Sequence, residues 1–151
     1  MAHEKSTFFH TSAHALRVAP SQIPDAGLGV YTDSPIAAGA CVDEYTGVFK
    51  SYGGAYTLQI RPGLNIDAAV WPRPYMAIIN DCTYIAPKYK KRKSRKIDIT
   101  PAAYYDAAGR VLTTNCEFRI SPEEKRAWIY ATHDIPAGSE LFVSYGADYW
   151  K

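Results

Sequence analysis

The chain has 151 residues, 47% of them hydrophobic and 21% charged. A chain of this size folds as one domain that buries roughly 68–70% of its unfolded surface, so neither disulfides nor a metal are needed to hold it. That composition excludes a wholly disordered protein, and no apolar run approaches the ~18 residues of a membrane span. Met1-Ala2-His3-Glu4-Lys5 leads into no apolar segment of the secretory type. Cys41, Cys82 and Cys116 are odd in number, widely spaced and form no CxxC pair. The expectation is an unsecreted protein with free thiols in a reducing compartment.

A net charge of +2 conceals an asymmetry, because seven of the 17 basic residues lie in the stretch Lys88–Lys96. Without them ten basic residues face 15 acidic ones, a balance of −5. A mildly acidic body with one basic loop suits a protein that handles basic substrates and also touches a polyanion.

In chain order, residues 1–15 read as a leader and 16–151 as the domain. Strand signals follow at Leu16–Val18, Gly29–Thr32, Cys41–Tyr45, Tyr56–Ile60, Val111–Thr114, Ala127–Ala131 and Glu140–Val143. Each is short, rich in β-branched or aromatic residues and bounded by Gly, Pro, Asp or Ser. Helix signals are few. Thr100, Pro101 and Gly109 frame one small helix as N-cap, first residue and terminator, and Ser121-Pro122-Glu123-Glu124 has the capping pattern of a single further turn. The architecture is mainly β. Ile36-Ala37-Ala38-Gly39 and Ile135-Pro136-Ala137-Gly138 echo one another, and each precedes a strand ending in a tyrosine, Tyr45 or Tyr145.

Several familiar chemistries are excluded. Gly27-Leu28-Gly29 lacks the third glycine and the helix of a dinucleotide fingerprint, and no Walker loop, HExxH or GxSxG is present. His10 and His14 are four apart without a carboxylate or cysteine at ligand spacing, so no metal site is expected. His133-Asp134 has no serine or cysteine nucleophile placed with it.

What remains is an ordered series: Gly27-x-Gly29-Val30, Glu44-Tyr45-x-Gly47, Ile79-Asn80-Asp81-Cys82, Asn115-Cys116 and Glu140-Leu141-x-x-x-Tyr145-Gly146. In order and spacing it resembles the SET domain of protein lysine methyltransferases, from about Leu16 to Trp150. The resemblance implies a fold of short twisted sheets in which the C-terminal Glu140–Tyr145 segment threads as a pseudoknot beneath the Asn80–Asn115 connection. It also implies S-adenosylmethionine as methyl donor and a lysine as acceptor.

Carried over by position, the backbone of Ala26, Gly27, Leu28 and Gly29 would hold the methionine end of the cofactor. Ile78 and Asn80 would contact it, the backbone at Asp81 would meet the adenine, and Trp150 would cover that base. Tyr145 matches the catalytic tyrosine, and Tyr45 lines the lysine channel with Phe118 and Tyr149. Asp81 stands where the family has histidine. About 30 residues separate Cys82 from Asn115 where relatives have a few, so 83–112 reads as an insertion carrying the basic run. No zinc-binding tail is implied.

The expected activity is therefore metal-free methylation of a protein lysine, with a histone tail as acceptor and a nuclear, chromatin-associated setting. Lys90, Lys91, Arg92 and Lys93 could meet nucleosomal DNA. The same run could be an import signal or a solvated loop. A degenerate domain that binds nucleic acid or protein without methylating, and a methyltransferase for a non-histone protein, stand as alternatives.

Overall fold

The computed structural model describes residues 13–69 and 74–146. Among the described residues ten short strands carry the fold. They are β1 (Leu16–Pro20), β2 (Leu28–Thr32), β3 (Cys41–Glu44), β4 (Val48–Lys50), β5 (Thr57–Arg61), β6 (Leu64–Asp67), β7 (Tyr89–Arg92), β8 (Arg95–Asp98), β9 (Cys116–Ser121) and β10 (Arg126–Ala131). They form four small antiparallel sheets, ordered β1-β2, β3-β10-β9, β4-β6-β5 and β7-β8.

Side-chain alternation explains why these segments become half-buried strands. In β10, Ala127, Ile129 and Ala131 point inward, while Arg126, Trp128 and Tyr130 lie on the outer face. There Arg126 stacks on Trp128 and donates from Nη2 and Nε to the two carboxylate oxygens of Glu44, at 2.7 and 2.9 Å. The core is Val30, Ile36, Val42, Met76, Ile79, Ile129, Ile135, Leu141 and Val143. Each such side chain stabilises the fold by about 1.5–3 kcal/mol relative to exposure.

The two Ile-x-x-Gly turns pack against each other. Ile36 and Ile135 exchange both backbone hydrogen bonds, at 2.9 and 2.8 Å. The N–H of Gly39 then donates to the Ala131 carbonyl and that of Gly138 to the Thr32 carbonyl. Both glycines sit at φ near +86°, which a side chain would resist. The sequence echo is thus a local two-fold arrangement, and it sends the chain toward Tyr45 from one turn and Tyr145 from the other.

Segment 140–145 is held from both flanks. Phe142 bridges Asn80 in parallel, and the Val143 N–H donates to the Asn80 carbonyl at 3.0 Å. On the other flank the N–H groups of Asn115 and Cys116 both donate to the Phe142 carbonyl. The Asn115 side chain donates to the Glu140 carbonyl and accepts from the Phe142 N–H. The segment thus lies between the two ends of the 81–114 connection, the placement that the expected pseudoknot requires.

Three sequence expectations need correction. Thr100–Gly109 is not a helix: the Asp106 carboxylate accepts from the N–H groups of Ala108 and Arg110, each at 2.9 Å. That closes a tight loop across the Tyr105–Val111 bridge, a local side-chain bond outcompeting helix. Thr100 is bonded to Asp98 and Lys88 instead of capping. Residues 121–125 turn as expected, with the Ser121 hydroxyl accepting from the Glu124 N–H, but they form the loop of the β9–β10 hairpin. Val111–Thr114 and Glu140–Val143 make isolated bridges where full strands were expected. Among the described residues the one helical element is a 3-10 turn at Tyr75–Ala77.

Candidate functional site

Tyr45 follows β3, its N–H donating to the Ala127 carbonyl at 2.9 Å, so the central sheet fixes its backbone. Its buried ring meets Phe118 of β9 edge-on, with centroids 6.2 Å apart and planes at 74°. Its hydroxyl donates to the Tyr56 carbonyl at 2.7 Å. Tyr145 arrives from the threaded segment. Its hydroxyl donates to the Ile79 carbonyl, and its N–H donates to Asp81 Oδ2 at 2.8 Å. Together Tyr45, Phe118, Tyr145, Tyr56, Leu58, Met76 and Ile79 line a narrow cavity of about 100 Å3.

Two further hollows adjoin it. One, of about 250 Å3, shares Tyr56, Ala77 and Tyr145 with the channel and adds Ala26, Leu28, Ile78 and Asn80. The next, of about 420 Å3, shares Ala26, Asn80 and Tyr145 and extends past Asp81 to Tyr84, Pro87, Lys88 and Tyr104. Tyr145 therefore stands where all three meet. Among the described residues no cationic side chain lines the channel or the middle hollow, so a positive group there would face ring faces, an amide and backbone oxygens.

Asp81 is buried and turned toward the protein. Its Oδ1 accepts from the Thr83 N–H and hydroxyl at 2.7 and 2.5 Å, and its Oδ2 takes the Tyr145 N–H. The carboxylate in place of the family's histidine thus fixes the backbone of Tyr145. Asn80 Nδ2 donates to the Leu28 carbonyl at 2.9 Å and ties the start of β2 to this segment.

The four residues of the glycine turn divide. Ala26 and Leu28 line the middle hollow; Gly27 and Gly29 are not among its lining residues. Gly27 sits at φ +74° with open space around it. Gly29 is buried in β2, and a Cβ there would overlap the carboxylate of Glu140. That carboxylate is itself buried and accepts from the Ser21 hydroxyl at 2.7 Å and the Gln22 N–H at 2.9 Å. Burial, then the negative charge of Glu140, pushes the Tyr31 phenol up to about 12.

The thiols are set apart from this chemistry. Burial pushes Cys116 up to about 12 and raises Cys82 as well, and no cluster among the described residues could hold a metal. Lys90, Lys91, Arg92 and Lys93 lie together on the exposed β7–β8 hairpin, a ribbon where a loop was expected. Arg92 faces Arg95 and Lys91 faces Lys96 directly across it. None of the hairpin's basic residues pairs with a carboxylate of a described residue. Tyr149 and Trp150 lie outside the described residues. Tyr56, Met76, Tyr84 and Tyr104 line the cavities without belonging to any sequence motif.

The SET domain family model matches residues 27–146, most of the chain, and the protein belongs to the SET-domain family. Among solved structures, the polycomb repressive complex 2 of Chaetomium thermophilum matches with a TM-score of 0.57 and 23% identity. It covers 90% of this chain and 16% of that one. A ctPRC2 in an autoinhibited conformation bound to S-adenosylmethionine matches at 24% identity and TM-score 0.57, covering 89% and 15%. The methyltransferase domain of human PR domain-containing protein 2 matches at 16% identity and TM-score 0.56, covering 89% of this chain and 78% of that one. The chain thus spans about one sixth of the polycomb chains it matches. No curated protein matches it significantly by sequence.

Proposed function

We propose that the chain is an S-adenosylmethionine-dependent protein-lysine N-methyltransferase. The observation that carries this reading is the position of Tyr145, at the junction of a narrow aromatic channel with two wider hollows. A methyl acceptor and its donor must meet in line, and cavities on either side of Tyr145, one for each, suit that alignment.

The residues present fit such a donor: the middle hollow offers the Asn80 amide, the small Ala26 and the tyrosine rings, and among the described residues no cation that would repel a sulfonium. Bound there, S-adenosylmethionine would supply an electrophilic methyl group on sulfur. Asn80, Ala26, Leu28 and Ile78 would hold it, with the Asp81 backbone beyond. The acceptor lysine, with a reference pKa of ~10.4, must lose its proton before attack. Beside the donor's sulfonium, a second positive charge in the channel is disfavoured, which favours the neutral amine. Tyr45 and Phe118 grip the aliphatic stem, and the Tyr145 hydroxyl, fixed on the Ile79 carbonyl, orients the nitrogen. The proposal is tested by calorimetric titration with S-adenosylmethionine on the wild type and on Asn80→Ala. Saturable binding weakened by the substitution supports it; no binding by the folded wild type at millimolar cofactor overturns it.

The acceptor we propose is a histone tail on chromatin, in a nuclear setting, with the β7–β8 hairpin on nucleosomal DNA. Like charges directly opposite on a ribbon destabilise it, and phosphates against the Arg92–Arg95 and Lys91–Lys96 pairs would offset that repulsion. Replacing Lys90, Lys91, Arg92 and Lys93 with glutamine should slow methylation of nucleosomes and leave free tail peptide unchanged. Equal loss on both would remove the DNA contact from the account.

A further inference from the structure

We propose that the 83–112 insertion has a second task, building the outer wall of the cofactor site with Tyr84 and Tyr104 as platforms for the adenine base. This rests on the methyltransferase reading and adds to it a source for the nucleoside contacts within the described chain.

The cavity of about 420 Å3 is where the insertion meets the body of the protein. Ile23, Pro24 and Ala26 of the β1–β2 loop form one side, Asn80 and Asp81 lie between, and the insertion closes the other side. A donor whose methyl lies at Tyr145 must run outward from it. Among the described residues the middle hollow has no ring beyond Tyr56 and Tyr145, and it is the smaller of the two, suited to the amino-acid end. The outer cavity has the volume of a ligand site and an apolar lining with a few polar groups, which suits a nucleoside.

Its aromatic wall is built before any ligand arrives. The Tyr104 hydroxyl accepts from the Ala86 N–H at 3.3 Å, and its carbonyl accepts from the Leu112 N–H at 2.8 Å. The Tyr104 ring packs against the buried cluster of Ile23, Cys82 and Phe142, beside Leu112. Across the base of the hairpin, the Lys88 N–H donates to Thr100 Oγ1 at 3.0 Å and the Ile99 N–H to the Lys88 carbonyl at 2.9 Å. Pro87, Lys88 and Pro101, on the cavity lining, are therefore braced in the same unit. A planar base stacked on such a preset ring loses little freedom beyond its own.

The test is calorimetric titration with S-adenosylhomocysteine and with 5′-methylthioadenosine, which keeps the nucleoside and lacks the amino-acid end. Tyr84→Leu and Tyr104→Leu keep bulk and remove the ring plane; their melting without ligand is recorded first, and Tyr84→Leu stands alone if Tyr104→Leu fails to fold. The expected result is about 5- to 100-fold weaker binding by the same factor for both ligands, the range of one base–aromatic stack. Wild-type affinity in folded variants overturns the wall while leaving the methyltransferase reading intact, as does a loss confined to S-adenosylhomocysteine. A wild type that binds neither ligand overturns both.

Discussion

Asp81 offers the sharpest structural test, because one carboxylate there serves two neighbours. Oδ1 holds Thr83 through two hydrogen bonds, and Oδ2 holds the Tyr145 N–H at 2.8 Å. In Asp81→Asn, one acceptor becomes an NH2 group. If it turns toward Tyr145, two donors confront each other; if it turns toward Thr83, the Thr83 N–H loses its partner. Either way one backbone donor is orphaned at a buried site and the charge assistance to the others is lost. A hydrogen bond to a charged group contributes about 1.5–3 kcal/mol and an orphaned buried donor costs about 1–3 kcal/mol, so a net loss of about 2–3 kcal/mol is expected. For a domain of this length that lowers Tm by roughly 5–10 °C. Urea unfolding supplies the free energy, and the amide resonance of Tyr145 should move with it. A variant within about 0.5 kcal/mol of wild type would refute the anchoring role, since that is the range of unremarkable surface changes.

Further outcomes follow from the same geometry. Gly29→Ala should destabilise by about 3 kcal/mol or more, because its Cβ would displace the Glu140 carboxylate from Ser21 and Gln22. Gly27→Ala, with open space but φ +74°, should lose only about 1–2 kcal/mol, and equal losses in urea unfolding would refute the distinction. Tyr31 titrates at about 12 in the fold, above its value of ~10 in the unfolded chain, so its contribution to stability is intact below pH ~10 and lost as pH rises toward 12. Phenolate absorbance should show a late component that Tyr31→Phe removes and Glu140→Gln moves to lower pH; all tyrosines titrating together near 10 would contradict it. A maleimide at neutral pH should label Cys41 alone in the folded protein, with Cys82 and Cys116 reacting only in denaturant, as mass spectrometry of the digests would read.

Much of this was legible in the sequence, for physical reasons that differ by segment. Strands whose side chains alternate between core and solvent, such as Arg126–Ala131, or that carry dense β-branched and aromatic residues, such as Leu28–Thr32, fall where their patterns place them. β7 and β8 were not, because lysine-rich segments have no apolar period; their pairing rests on a two-residue turn in which Lys93 and Ser94 take positive φ. β9 was hidden behind the Asn115-Cys116 motif, and the short polar β6 behind its loops. The Thr100–Gly109 helix failed because cap residues signal helix only when their side chains are not engaged elsewhere, and Thr100 and Asp106 are.

At the site, Tyr45, Ile78, Asn80, Asp81, Phe118 and Tyr145, named through the family resemblance, line one set of hollows. Sequence could not reveal that Asp81 turns inward to hold Tyr145. Nor could it reveal that Tyr104, deep in the insertion, returns to the cavity beside Tyr84, which follows the Cys82 motif by two residues. Those facts depend on contacts between segments dozens of residues apart, which spacing along the chain does not encode.

The central claim is methyl transfer to a lysine oriented by Tyr145, and the direct measurement is mass spectrometry of histone tails and nucleosomes incubated with the protein and S-adenosylmethionine. The account predicts methyl additions on lysine with wild type, and a rate for Tyr145→Phe reduced by at least about ten-fold, the loss expected when one orienting hydrogen bond worth ~1.4 kcal/mol disappears from the transition state. Transfer undiminished in a folded Tyr145→Phe protein would contradict the role given to its hydroxyl, and no transfer to any protein lysine by a wild type that binds the cofactor would contradict the proposed activity itself.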